Sequence, residues 1–137
     1  MYYKKTMKRS DKIRILICGN YGASNLGDEI ILSGLLELMK SAYQNPDITV
    51  MSVAPEETDK MHKVNAVKLF PAGFRSTFNF WLTGKFLKTI TALQQADLVV
   101  LGGGGLFSDE KPRAVWIWYL QYMWFKAFGK KIKPCKI

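Results

Sequence analysis

Thiols and imidazoles are nearly absent from this chain of 137 residues: Cys18, Cys135 and His62 are all it has. Two cysteines with no CxxC pair and no metal-type spacing argue against a disulfide framework and point to a reducing compartment. No metal site is expected. The lone histidine lies in a polar stretch, where a solvated surface residue is expected rather than a catalytic one, and neither Ser33 nor Ser76 has a partner arrangement that suggests a nucleophile. Acidic residues are also scarce, 11 against 20 Lys and Arg, for a net charge of +9. The amino end is basic but lacks the apolar stretch of a secretory signal, so a cytoplasmic location is expected. No aromatic-and-basic nucleic-acid module is present, which puts nucleic acid last among partners. Internal repeats and low-complexity tracts are missing too.

The positive charge is crowded at the two ends. Lys4, Lys5, Lys8, Arg9, Lys12 and Arg14 fall at the start, and Lys126, Lys130, Lys131, Lys133 and Lys136 at the finish. A solvated tail and a solvated helix end account for this pattern; attraction to an anionic partner is the functional alternative. Residues 1–11 are expected to form a basic disordered tail, and residues 12–137 one domain, long enough to bury a core.

Glycine is concentrated where it carries meaning. The apolar run Ile13 to Cys18 leads into Gly19-Asn20-Tyr21-Gly22-Ala23-Ser24-Asn25-Leu26-Gly27-Asp28-Glu29, and Asp97 to Leu101 leads into the tetrad Gly102-Gly103-Gly104-Gly105. Glycine is costly to order, so such runs belong where the backbone needs positive φ or another group must approach it closely. Behind a buried parallel strand that place is the carboxyl edge of the sheet, where open α/β folds bind ligands. The first turn is neither a dinucleotide fingerprint nor a phosphate loop: its spacing is G-x-x-G-x-x-x-x-G, and no Lys-Ser or Lys-Thr follows. Asp28 and Glu29 suit the first turn of a helix, where carboxylates offset the macrodipole and cap free N–H groups. They also repel a bare phosphate, so the turn suits a hydroxyl-rich ligand, with Asn20, Ser24 and Asn25 as hydrogen-bonding side chains. The tetrad is the better anion cradle, a nest of N–H groups next to a helix start; tight strand-to-helix packing is its structural alternative. Asp109 reads as a helix cap or a ligand contact.

The periodicities alternate between strand and helix. Strands are expected at Ile13–Cys18, Ile48–Val53, Val64–Phe70 and Asp97–Leu101. Helices are expected from Asp28 to about Tyr43, over Glu56–Lys63, from Phe80 to Leu93, and from Pro112 to about Phe128, with proline at a first turn. This is an α/β chain, an open parallel sheet of Rossmann-like type. Within the last helix the segment Ala114 to Phe128 carries aromatics all round, and at about fifteen residues it is too short to span a bilayer. Burial, or docking against a missing half, is expected for it, with an interfacial helix as the alternative. Several of Trp116, Trp118, Tyr122, Trp124 and Phe128 should then be exposed in this chain alone. Lys130-Lys131-Ile132-Lys133 stands where another strand should begin, so the chain reads as the amino-terminal part of a larger protein.

The segment from Gly19 to Leu32, followed by Ala96 to Phe107, resembles the polysaccharide pyruvyl transferase family, with the likeness running from Lys12 onward. The resemblance implies the amino-terminal half of a two-domain transferase of the GT-B type. It implies transfer of a pyruvyl group from phosphoenolpyruvate, with no other cofactor, onto two hydroxyls of a sugar in a cell-wall or exopolysaccharide precursor, often lipid-linked. Lipid-linked acceptors imply a location at the inner membrane face, peripheral membrane contact goes with the interfacial-helix alternative, and the two-domain pattern agrees with a missing carboxyl-terminal half. It places Tyr21 near the acceptor sugar, so Tyr21→Ala should weaken acceptor use more than phosphoenolpyruvate use. The site expected on these grounds comprises Asn20, Tyr21, Gly22, Asn25, Gly27 and Asp28 on the acceptor side, with Gly102, Gly103, Gly104, Gly105 and Asp109 shaping the cleft. Residues that hold phosphoenolpyruvate come mostly from later sequence in the family, so this chain alone is expected to be inactive. A nucleotide-sugar glycosyltransferase half-domain and a non-catalytic sugar-binding or interaction module are the rival readings.

Overall fold

The structure, a computed structural model, describes residues 12–71, 73–102 and 112–128. Its elements run β1 (Arg14–Cys18), α1 (Leu26–Ala42), β2 (Asp47–Ser52), α2 (Pro55–His62), β3 (Asn65–Lys68), α3 (Phe74–Leu82), α4 (Lys85–Gln95), β4 (Leu98–Leu101) and α5 (Pro112–Phe128). The four strands form one parallel sheet in the order β3-β2-β1-β4. β1 and β2, the interior strands, have the apolar runs expected of strands covered on both faces.

Alternate residues of β1 feed two cores. Ile15 and Ile17 pack with Leu32, Leu36, Ile48, Val50 and Val64 beneath α1. Leu16 and Cys18 pack on the other face with Met51, Phe70, Phe80, Leu93, Trp118 and Phe125. α1 therefore covers one face of the sheet, while α3, α4 and α5 cover the other. Helices on both faces of a parallel sheet make the architecture Rossmann-like.

The single helix expected from Phe80 to Leu93 is two helices. α3 starts earlier, at Phe74, and ends at Leu82 with Thr83 as its C-cap; α4 restarts after Gly84, whose φ of 68° is left-handed. An L side chain avoids that conformation and glycine does not. An apolar spacing that continues on both sides of the break, Phe80 before it and Phe86, Ile90 and Leu93 after, hides it from a reading of periodicity.

α5 is split lengthwise. Trp118, Gln121 and Phe125, at helical spacing, are buried. The Gln121 Nε2 donates to the Phe70 carbonyl at 2.5 Å, and Trp124 stacks on Phe70 with ring centroids 5.3 Å apart. The opposite stripe is open: Trp116 is 60% exposed and Tyr122 56%. Of the five aromatics expected to be exposed, these two are; Trp118 is buried, and Trp124 and Phe128 are half-buried. Among the described residues no helix is long and apolar enough to cross a membrane.

Candidate functional site

The chain steps from β1 outward to β2 and β3, then returns to lay β4 on the other side of β1. The order of the sheet thus reverses between β1 and β4, and open α/β folds hold ligands outside the carboxyl ends of strands at such a switch point. Both glycine turns leave from these two strands. They touch: the Gly102 N–H donates to the Cys18 carbonyl at 2.9 Å, and a Cβ on Gly19 would collide with the Gly102 carbonyl oxygen.

The ring of Tyr21 occupies the slot these glycines leave. A Cβ on Gly19 would lie 2.5 Å from two of its ring carbons, and one on Gly102 would meet Leu35 Cδ1 and lie 2.9 Å from the Tyr21 hydroxyl oxygen. Tyr21 is fully buried and belongs to the core beneath α1. The expectation that it faces an acceptor is therefore corrected: the missing side chains of Gly19 and Gly102 make room for an aromatic ring, which gains more by burial than by exposure. Its hydroxyl finds no hydrogen-bond partner among the described residues. Burial, reinforced by the Cys18 thiol and the Asp28 and Glu29 carboxylates, pushes the phenol well above its ordinary pKa. Burial likewise pushes the Cys18 thiol up.

With Tyr21 turned inward, the polar face of the first turn is built by Asn20, Asn25 and Asp28. Asn25 is the N-cap of α1: its Oδ1 accepts from the Gly27 N–H at 3.1 Å. Its amide nitrogen donates to Asp28 Oδ2 at 2.9 Å, and that of Asn20 donates to the same oxygen at 3.3 Å. Asp28 is buried, Asn20 half-buried and Asn25 exposed. The buried carboxylate thus anchors two amides at the surface, beyond the capping role foreseen for it. Amides held in this way offer both donors and acceptors, the chemistry that sugar hydroxyls require.

Gly22 is fixed for a different reason. Its φ is 76°, and a Cβ there would strike Ser52 Oγ and lie 2.8 Å from the Ala54 nitrogen. Ser52, at the end of β2, is buried; its Oγ lies 3.2 Å from the Tyr21 carbonyl and 2.7 Å from Thr58 Oγ1, and accepts from the Ala54 N–H. Gly27, by contrast, has room for a methyl, its nearest neighbour being Asn25 Oδ1 at 3.5 Å. Gly103, Gly104, Gly105 and Asp109 lie outside the described residues.

Sequence reasoning missed the strut behind the turn. Glu29 is buried and its Oε1 accepts from the Gly22 N–H at 2.8 Å, while Oε2 lies 2.7 Å from His62 Nε2. The imidazole is 6% exposed and its Nδ1 lies 3.4 Å from Ser33 Oγ. His62 is therefore not the solvated residue expected, and Ser33 does have a neighbour. Polar flanks around His62 reflect the exposed side of α2, and only the packing of α2 on α1 turns the last residue of the helix inward. No local signal in the sequence pairs Glu29 with a residue 33 positions away.

Two other features are apart from this edge. A hollow of about 50 Å³ at the amino ends of β1 and β2, lined in part by Arg14, Asp47 and Gln95, is far smaller than the ~300–1,000 Å³ of ligand sites. Among the described residues no group of three or more His, Cys, Asp or Glu side chains could hold a metal ion.

No curated protein and no solved structure matches the chain significantly. The family model described as polysaccharide pyruvyl transferase matches residues 25–135. The match begins at the N-cap of α1, takes in Asn25, Gly27, Asp28 and the glycine tetrad, and leaves Asn20, Tyr21 and Gly22 ahead of it. Spanning well over half of the sequence, it shows that this chain belongs to the polysaccharide pyruvyl transferase family.

Proposed function

We propose that the protein containing this chain transfers a pyruvyl group from phosphoenolpyruvate to a sugar of a cell-surface polysaccharide precursor, closing a ketal. The observation that carries this reading, beside the family match, is the meeting of two glycine turns at the switch point between β1 and β4. In the reaction the donor's methylene carbon takes a proton, and two sugar hydroxyl oxygens bond to the carbon beside it. The bond from that carbon to the phosphate-bearing oxygen breaks; one hydroxyl proton balances the new methyl group and the other leaves with inorganic phosphate.

Asn20 and Asn25, oriented by Asp28, serve the acceptor hydroxyls. In this reading Gly102, at the end of β4, belongs to the donor side. A second Rossmann-like half completing a GT-B-type cleft, and a lipid-linked acceptor at the inner membrane face, belong to the same reading.

The test supplies the protein with phosphoenolpyruvate and a panel of glycosides bearing two neighbouring free hydroxyls. Acceptor-dependent phosphate release is expected, with a product heavier than the acceptor by pyruvic acid less one water. Sugar transfer from a nucleotide sugar instead would establish the glycosyltransferase reading. Acceptor binding without turnover of either donor would leave a binding module.

A further inference from the structure

We infer that the outer surface of the α3–α4–α5 layer is a docking face for an anionic lipid bilayer. These three helices share one face of the sheet, with α4 in contact with both α3 and α5. Their inward residues form the core with Phe70 and Met51, so their outward residues share one side of the molecule. That side is rich in apolar groups that folding leaves in water: Phe78 and Trp81 on α3, Leu87 on α4, and Trp116, Tyr119 and Tyr122 on α5 are all exposed. On each helix they fall at helical spacing, Phe78 with Trp81, and Trp116 with Tyr119. On α5 the rings of Trp116 and Tyr119 stack with centroids 5.8 Å apart, and exposed apolar patches mark interaction sites on folded proteins.

Charge selects the occupant. From Lys60 to Ala96 the chain contains no Asp or Glu, and none occurs in α5. Among the described residues the exposed charged side chains of the layer are Arg75, Lys85, Lys88 and Lys126, all cationic. By contrast, α1 and α2 on the other side of the sheet carry Glu37, Glu56, Glu57 and Asp59 at exposed positions. The molecule is thus asymmetric across its sheet. A second copy of the same face would set cation against cation, whereas an anionic headgroup layer neutralises these cations and takes the rings into its boundary zone. Trp and Tyr over an apolar surface, flanked by Lys and Arg without acids, is the composition of an element that lies in a membrane interface. None of these helices crosses the bilayer, so the contact is peripheral. The inference stands on the helix layer alone and does not depend on the proposed pyruvyl chemistry.

Flotation of the protein with phosphatidylcholine vesicles, with and without phosphatidylglycerol, tests it. At least tenfold tighter binding to the anionic vesicles is expected, weakening as salt is raised. The double variant Phe78→Ala/Trp116→Ala should lose at least tenfold in vesicle affinity while keeping the wild-type circular dichroism, since both rings are exposed. The charge reversal Lys85→Glu/Lys88→Glu, which touches no core residue, should abolish the preference for phosphatidylglycerol whatever the behaviour of the ring variant. Equal binding to both vesicle types, no binding, or full retention of binding by the charge-reversed protein overturns the proposal. So does self-association in sedimentation velocity that Trp116→Ala abolishes, which would assign the face to a second copy.

Discussion

Four glycines of the same edge differ in what they do, and substitution should separate them. Gly22 combines a left-handed backbone with contact against Ser52 Oγ and the Ala54 nitrogen, so Gly22→Ala should cost at least about 2 kcal/mol from strain and overpacking. Gly27 lies in the first turn of α1 with ordinary clearance, and Gly27→Ala should change stability by less than about 1 kcal/mol in either direction. Urea unfolding of the two variants checks the contrast; equal losses would contradict it. Gly19 and Gly102 belong to neither case, since their hydrogens are the walls of the Tyr21 slot. Tyr21→Ala should therefore cost about 3–5 kcal/mol through the cavity it leaves, whereas Tyr21→Phe, which removes an unpaired buried hydroxyl, should be neutral or stabilising. Loss of acceptor use in Tyr21→Ala alone would then report a damaged fold, and retention of activity in Tyr21→Phe is the sharper readout. The same burial has a pH consequence. The phenol and the Cys18 thiol have folded pKa values raised above their ordinary 10.0 and 9.0, so their contribution to stability is fully present below those values. It is lost as pH climbs through about 9 to 10 and beyond, because only the unfolded chain ionises there. Alkaline unfolding is expected to begin in that range, and Tyr21→Phe should raise its midpoint.

At the scale of elements, α1 is the piece that joins fold to site. Its N-cap Asn25 closes the helix start on the Gly27 N–H and at the same time ties its amide to Asp28. Asn25→Ala should lose about 1 kcal/mol, while Asn25→Ser, which retains a capping oxygen, should recover most of it. If the amide also serves the acceptor, the serine variant recovers stability without recovering acceptor KM; recovery of both would confine Asn25 to capping. The first turn of the same helix carries Glu29, whose two oxygens hold the Gly22 N–H and meet the His62 ring. In this way α2 braces the loop after β1 without contributing a group to its open face.

Across the whole molecule, β1 and β2 are flanked on both sides, whereas β3 and β4 close the described sheet with half-buried residues. Backbone amides of β1 and β2 should exchange slowest with deuterated water and those of β3 and β4 measurably faster, since local opening follows contact density. Uniform protection across all four strands would contradict this reading of the sheet. The two faces differ as well: α1 and α2 present mixed charge, while α3, α4 and α5 present rings and cations.

Element type and order were legible from residue pattern alone, since strand and helix periods differ and glycine, proline and asparagine mark the joints: all four strands, α1, α2 and α5 lie within a few residues of where the periodicity puts them. The parallel sheet followed from their alternation, and the family from two glycine turns in sequence. Side-chain direction was not legible in the same way. A loop aromatic between glycines reads equally as a ligand contact or as a core ring, and for Tyr21 only the abutment of Gly19 on Gly102, eighty-three residues apart, decides for the core. His62 and Glu29 are separated by 33 positions, and their pairing exists only once α2 lies on α1. Local energetics select backbone states within a few residues, whereas the burial of one side chain depends on the volume that distant segments leave unfilled, and that volume is defined only when the sheet and both helix layers are in place.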